Sequence, residues 1–219
     1  MFSAEQHDPA FMKVQQAYKE WASTYDSDRN LTRDLDQEVT HDTLVNMRFD
    51  SVVEIGCGTG KNTALLATIA QRVHAIDFSE AMIARAKQKS HFDNVSFTVA
   101  DITQQWPCAD QTADLVSCNL VLEHIRDLSF IFAEAARVLI NGGQLFISEL
   151  HPFRQYAGVQ ARFDRDDKTT MIDAFVHNIT DFTAAAAQSS LLLESIRESR
   201  HQEDANKPPR LISFLFKKP

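Results

Sequence analysis

Glycine is scarce in this sequence: six residues in 219, where about 7% is typical. Three stand together at Gly56, Gly58 and Gly60, and two more at Gly142 and Gly143. A chain this short of glycine that places five of them in two clusters needs an unusual backbone path there. Cysteine is scarcer. Cys57, Cys108 and Cys118 are odd in number and show no Cys-x-x-Cys or Cys/His zinc spacing. Free thiols suit a reducing cytosol, so a cytoplasmic location is expected. No apolar run approaches the ~18 residues of a membrane span. Residues 1–9 hold neither the basic region nor the apolar run of a signal peptide. Positive charge is in deficit: 22 Lys+Arg against 30 Asp+Glu give a formal net charge of −8. Such a surface repels phosphate backbones and disfavours a nucleic-acid or anionic-membrane partner.

What is present is an alternation of strand and helix patterns. Phe11, Val14, Tyr18, Trp21 and Tyr25 form one face of an amphipathic helix, and a second helix is expected at 31–47. Apolar runs at 51–55, 73–77, 95–100, 113–119 and 144–150 read as five strands. Helical patterns lie between them, the last at about 127–139, with Asn141-Gly142-Gly143 expected to end it through a left-handed cap. Residues 151–178 break the rhythm and show no clear helix. A helix at about 179–190 and strands near 191–198 and 211–217 close the chain. The pattern predicts one α/β domain over 1–219, with a mostly parallel, Rossmann-like doubly wound sheet and helices on both faces.

The segment Glu54-Ile55-Gly56-Cys57-Gly58-Thr59-Gly60 follows the first strand and opens a helix. Ligands of doubly wound sheets bind at the carboxyl ends of the strands, and glycine lets them approach the backbone. Cys57 within the loop reads as a small side chain filling a tight turn. Three successive strands then end in Asp77, Asp101 and Asn119. A carboxylate at Asp77, 21 residues after Gly56, suits the hydroxyls of a ribose. Asp101 suits an adenine amino group, and Ile102 the ring face. A pyrophosphate cofactor would want GxGxxG, but the third glycine comes one residue early, and Glu54 would repel phosphate. Glu54 suits a cationic ligand, and S-adenosylmethionine is a cationic nucleoside without phosphate.

These motifs, with Asp77-Phe78-Ser79-Glu80-Ala81-Met82, Asn119-Leu120-Val121-Leu122-Glu123-His124 and the 139–145 turn, resemble those of class I S-adenosylmethionine-dependent methyltransferases. The resemblance is close over about residues 50–150. It implies a seven-stranded sheet of order 3-2-1-4-5-7-6 with the last strand antiparallel. It implies that Gly56, Gly58 and Gly60, with Cys57 between them, line the methionine part of the cofactor, with Glu54 behind its amino group. It places Asp77 on the ribose, Phe78, Met82, Asp101 and Ile102 at the adenine, and Asn119 and Leu120 beside the sulfonium. Residues 1–49 would form a helical lid, 50–150 the cofactor-binding core, 151–178 a substrate-side insertion and 179–219 the closing helix and strands. Within the lid, Tyr18 and Tyr25 would reach the cofactor carboxylate or the acceptor. Arg33 would pair with that carboxylate, its alternative being an exposed pair with Asp34 or Asp36.

The acceptor side is less defined. His151 is a candidate general base leaving the fifth strand, and His124 is its rival. Arg154, Tyr156 and Arg162 in the insertion are candidates to contact an acidic acceptor, the alternative being a covering hairpin with solvated charges. No metal site is expected: the position three residues before the Glu123-His124 pair is Leu120. The reaction implied is methyl transfer to an O or N atom of a small molecule by in-line displacement. The alternatives are an NAD-dependent oxidoreductase and a non-catalytic S-adenosylmethionine-binding module.

Overall fold

The computed structural model describes residues 9–89, 91–165 and 168–219, with side chains from Met12 onward. Residues 1–8 and the side chain of Phe11 therefore lie outside the described part. Two helices come first, α1 (Pro9–Trp21) and α2 (Leu31–Leu44). The alternating core is β1 (Phe49–Ile55), α3 (Thr63–Ile69), β2 (Ala70–Asp77), α4 (Glu80–Lys89), β3 (Val95–Val99), β4 (Ala113–Asn119), α5 (Leu128–Val138) and β5 (Leu139–Leu150). The rest is α6 (Pro152–Tyr156), β6 (Arg162–Arg165), β7 (Lys168–Met171), α7 (Ile179–Gln188), β8 (Leu192–Ser199) and β9 (Leu211–Lys217).

Seven strands form one sheet in the order β3-β2-β1-β4-β5-β9-β8, and β6 pairs only with β7. With that hairpin set aside, β8 and β9 are the sheet's sixth and seventh strands, and the order is the one expected. Strands β1 to β5 are parallel neighbours, and β9 runs antiparallel to both β5 and β8. The central strands are apolar on both faces, as helices on each side require. Val53, Ile55 and Val116 pack toward α5 and α7 with Phe132, Phe182 and Phe214. Val52, Val73 and Leu115 pack toward α2 and α3 with Leu35, Leu44 and Leu66. Each of these large side chains contributes roughly 1.5–3 kcal/mol by burial. No helix among the described residues is long and apolar enough to cross a membrane.

Asn30 starts α2, its side chain accepting from the amides of Thr32 and Arg33. The helix thus begins where it sets Arg33 and Asp36 facing inward, both buried. A third apolar cluster joins α1 to the β6–β7 hairpin: Trp21 stacks on Phe163 at 5.5 Å, beside Val14 and Ile172.

Two expectations change. The glycine pair does not cap α5. The helix ends at Val138, Leu139 is already extended, and the Lys218 ammonium takes the carbonyls of Ala136 and Leu139. With those carbonyls satisfied by a charge, no left-handed cap is needed. Gly142, at φ +82°, instead lies within β5, where the register jumps from Ala113↔Leu139 to Leu115↔Gln144. A Cβ on Gly143 would lie 3.0 Å from the Ile140 carbonyl and 3.1 Å from that of Asp114. Residues 151–178, expected without a helix, contain the one-turn α6 as well as the hairpin.

Candidate functional site

The glycine loop leaves β1 at the centre of the sheet, beside β2 and β4. The amides of Gly56 and Cys57 both donate to the Ile76 carbonyl, which holds the loop against β2. Gly56, Gly58 and Gly60 have φ of +69°, +52° and +80°. Asp77 ties this loop to the next: its two oxygens accept from the amides of Gly58 and Ser79, each at 2.8 Å. A carboxylate has about four acceptor positions, so it retains capacity for hydroxyl donors. Burial raises its pKa to about 6, against the lowering effect of those amides.

One groove is lined by Gly56, Gly58, Asp77, Phe78, Met82, Ile102, Asn119 and Leu120, and roofed by Tyr18, Tyr25 and His124. A second small space continues from it past Glu54, Cys57 and Arg33. Together these hold all but two of the cofactor-side residues singled out from sequence. Gly60 lines neither space. Its amide closes the loop on the Cys57 carbonyl, and a Cβ there would meet Ala86 of α4 at 3.3 Å. Asp101 lines neither. Its carboxylate turns back on the amide and hydroxyl of Thr103, an Asx turn.

The second space is acidic. Glu54 accepts the Thr63 hydroxyl, and burial, with Asp77 and Asp36 nearby, pushes its pKa to about 8. Asp36 is also buried and raised; it accepts the side-chain amides of Asn62 and Asn119 at 2.9 Å. Burial raises all three of these carboxyls, and a cation among them would favour their charged forms. Asp36 was missed from sequence. The signal was a polar stripe (Arg33, Asp36, Thr40) on the inward face of α2. Arg33 is buried, and neither expected ion pair forms. Asp34 pairs with Lys61, and Asp36 with the two asparagines. The guanidinium donates instead to the carbonyls of Tyr25 and Asp28, and lies 4.0 Å from the Tyr25 ring centroid.

Residues 15–26 are fastened across the groove. Gln15 donates to the Phe78 carbonyl, Thr59 to Asp26, and Arg85 to the Ser23 carbonyl, while Lys89 pairs with Asp26. The Tyr18 hydroxyl meets His124 Nε2 at 2.9 Å, and His124 Nδ1 meets the Asp173 carbonyl at 2.9 Å. A carbonyl only accepts, so in the neutral ring Nδ1 carries the proton and Nε2 accepts from Tyr18.

The other acceptor-side candidates serve the fold. His151 is fully buried outside the groove: Nδ1 caps α6 through the Phe153 amide, and Nε2 meets Glu198 of β8 at 2.9 Å. With both nitrogens engaged and no access, it is not a base for this groove. Arg154 is buried against Asp204 at 2.8 Å and donates to the Pro208 carbonyl. Tyr156 is exposed and donates to Asn178. Neither lines the groove. Arg162 does line a separate cavity of about 540 Å³, enclosed by residues 28–33, the hairpin and Arg210. Tyr18, Tyr25 and Leu120 border both the cavity and the groove.

Residues 53–147 match the methyltransferase-domain family. That stretch, which carries the glycine loop, is thus similar to a methyltransferase domain, and the sheet has the strand order that the sequence resemblance implied. The chain is 35% identical over 146 residues to malonyl-[acyl-carrier protein] O-methyltransferase of Hahella chejuensis, covering 63% of this chain and 50% of that protein. It spans half or less of the length of the curated relatives it matches first. Among solved structures, the DhpI–SAH complex superposes with a TM-score of 0.74 at 22% identity, covering 96% of this chain and 98% of that one. N-methyltransferase NodS of Bradyrhizobium japonicum, in complex with S-adenosylhomocysteine, gives 0.70 at 18%, covering 97% and 100%.

Proposed function

We propose that this chain transfers a methyl group from S-adenosylmethionine to an O or N atom of a small-molecule acceptor. The observation that carries the reading is the junction of two spaces. A groove with Asp77 in its lining meets a 540 Å³ cavity at Tyr18, Tyr25 and Leu120. The donor set fits the cofactor. Asp77 has acceptor capacity for ribose hydroxyls, and Phe78, Met82 and Ile102 supply apolar walls for adenine. The buried Glu54 and Asp36 suit the ammonium. Arg33, bonded to the carbonyls of Tyr25 and Asp28 and lying over the Tyr25 ring, suits the carboxylate. Gly58 leaves open space where a side chain would project.

The cofactor supplies an activated methyl group on a good leaving group. The chain's task is alignment of the acceptor with that methyl, which is the large contribution in such a displacement. Leu120 and Tyr18, shared by both spaces, border that line of approach. The names of the malonyl-[acyl-carrier protein] relatives favour oxygen as the acceptor atom.

The test is incubation with tritiated-methyl S-adenosylmethionine and a small-metabolite extract. Label is expected in a small-molecule product that depends on the protein. Binding of the cofactor with no label in any fraction would contradict turnover and leave a binding module.

A further inference from the structure

A hydroxyl acceptor carries a proton that has to leave as its oxygen takes a methyl group, so the site needs somewhere to send it. Most ionisable groups bordering the groove and the 540 Å³ cavity are committed elsewhere. Asp77 is held by the amides of Gly58 and Ser79. Asp28 accepts from Trp21 Nε1 and the Thr24 hydroxyl, and Asp164 from the Thr169 hydroxyl. Arg29 pairs with Glu203 and Arg210 with Asp204, and a guanidinium accepts nothing. His124 is the one histidine lining either space among the described residues.

Tyr18 connects this histidine to both spaces. Its ring packs edge-on against Phe78 at 5.9 Å and against His124 at 5.4 Å, which holds the hydroxyl 2.9 Å from Nε2. The Asp173 carbonyl takes the Nδ1 proton, so the Nε2 lone pair points at Tyr18. A phenol oxygen that donates its one proton still has lone pairs. Tyr18 can therefore accept from a molecule in the cavity while it donates to His124. Burial raises its pKa, so it stays a neutral phenol that passes a proton on.

The surroundings suit a charge arriving on His124. Glu123 Oε1 lies 3.7 Å from Nε2. Burial raises the Glu123 carboxyl, and a charge on His124 lowers it. An imidazolium at 124 and a carboxylate at 123 thus favour one another. The other charged or titratable groups around Tyr18 are Tyr25, Asp77 and Arg33.

We infer that the acceptor is a neutral hydroxyl compound and that its proton leaves through the Tyr18 hydroxyl to His124 Nε2. This rests on the methyltransferase reading above. A lone pair on the acceptor oxygen forms the new O–CH₃ bond as the C–S bond breaks, and that bond's electron pair stays on sulfur. The acceptor's proton passes to the Tyr18 oxygen while the Tyr18 proton passes to Nε2. Tyr18 ends as it began. The positive charge lost from the sulfonium reappears on the imidazolium, beside Glu123. The product is a methyl ether. The proton then leaves His124 for solvent before the next turnover.

The experiment uses the small-metabolite extract as probe, with saturating tritiated-methyl S-adenosylmethionine, across pH 5.5–8.5. The wild-type rate is expected to fall toward low pH, where Nε2 is already protonated, and the label should survive alkali as an ether does. His124→Gln keeps a hydrogen-bonding group near Tyr18 but takes no proton; it should slow transfer about a hundredfold and flatten the low-pH fall. Tyr18→Phe keeps the ring packing and should do the same, which guards against a folding defect at position 124. A second readout needs no turnover: ¹⁵N NMR of histidine-labelled protein saturated with S-adenosylhomocysteine should show His124 protonated at Nδ1 and bare at Nε2. Label released by alkali as methanol, transfer in both variants within about threefold of wild type, or a protonated Nε2 in the neutral ring would overturn the inference. No protein-dependent label with wild type would instead overturn the methyltransferase reading.

Discussion

A Cβ built on Gly56 lies 2.1 Å from Val121 Cγ2, while one on Gly58 meets nothing within 4 Å. Both residues have positive φ, a strain of roughly 1–2 kcal/mol for a side chain. Only Gly56 adds an overlap, which in a packed interior costs about 1–3 kcal/mol more. Gly56→Ala is therefore expected to lower stability more than Gly58→Ala in urea unfolding, and to distort the loop under the groove. Equal stabilities for the two variants would contradict this geometry. At this scale the sequence was readable where a residue's role follows from its place on a strand. Asp77, Asn119, Gly56 and Gly58 lie at or just after strand ends, and they meet in one groove. His151 and Arg154 were misjudged because their partners, Glu198 and Asp204, lie 47 and 50 residues away. A titratable side chain shows its type in the sequence but not who satisfies it.

The strands and most helices were legible because apolar periodicity is local. The two misread elements depend on distant groups. The end of α5 is settled by Lys218 from beyond β9, and α6 by a histidine cap and the packing of the turn that follows β5. The N-terminal helix is half legible. Its amphipathic face predicted α1, but not that Tyr18 would reach His124 or that Trp21 would stack on the hairpin. The groove beneath it divides into spaces of about 70 and 50 Å³, well below the roughly 300 Å³ at the lower end of ligand sites. Under the proposed cofactor reading, the segment from α1 to Asp28 swings aside to admit the nucleoside. Its fasteners are mostly exposed side-chain bonds, which open at low cost. Hydrogen exchange should show amides of 18–28 opening much faster than those of β1 and β4 without ligand. S-adenosylhomocysteine should then slow them several-fold. Identical exchange with and without ligand would contradict a moving cover.

On the scale of the whole molecule, the net negative charge and the charge of the two spaces differ in kind. The space past the glycine loop gathers Asp36 and Glu54, with Asp77 in the groove beside it, while the adjoining cavity sets four arginines among Asp28, Glu123 and Asp164. Composition shows neither concentration, because it averages over a surface that both spaces avoid. The groove follows from the patterned sequence between β1 and β4, whereas the adjoining cavity is assembled from residues 28–33, the hairpin and the segment before β9. The claim on which everything else depends is that Asp77 holds the ribose of S-adenosylmethionine. Titration of S-adenosylhomocysteine by calorimetry into wild type and Asp77→Ala tests it directly, with thermal melting to confirm that the variant is folded. Loss of charged hydrogen bonds predicts at least tenfold weaker binding in the variant. Undiminished binding by a folded Asp77→Ala would contradict the account.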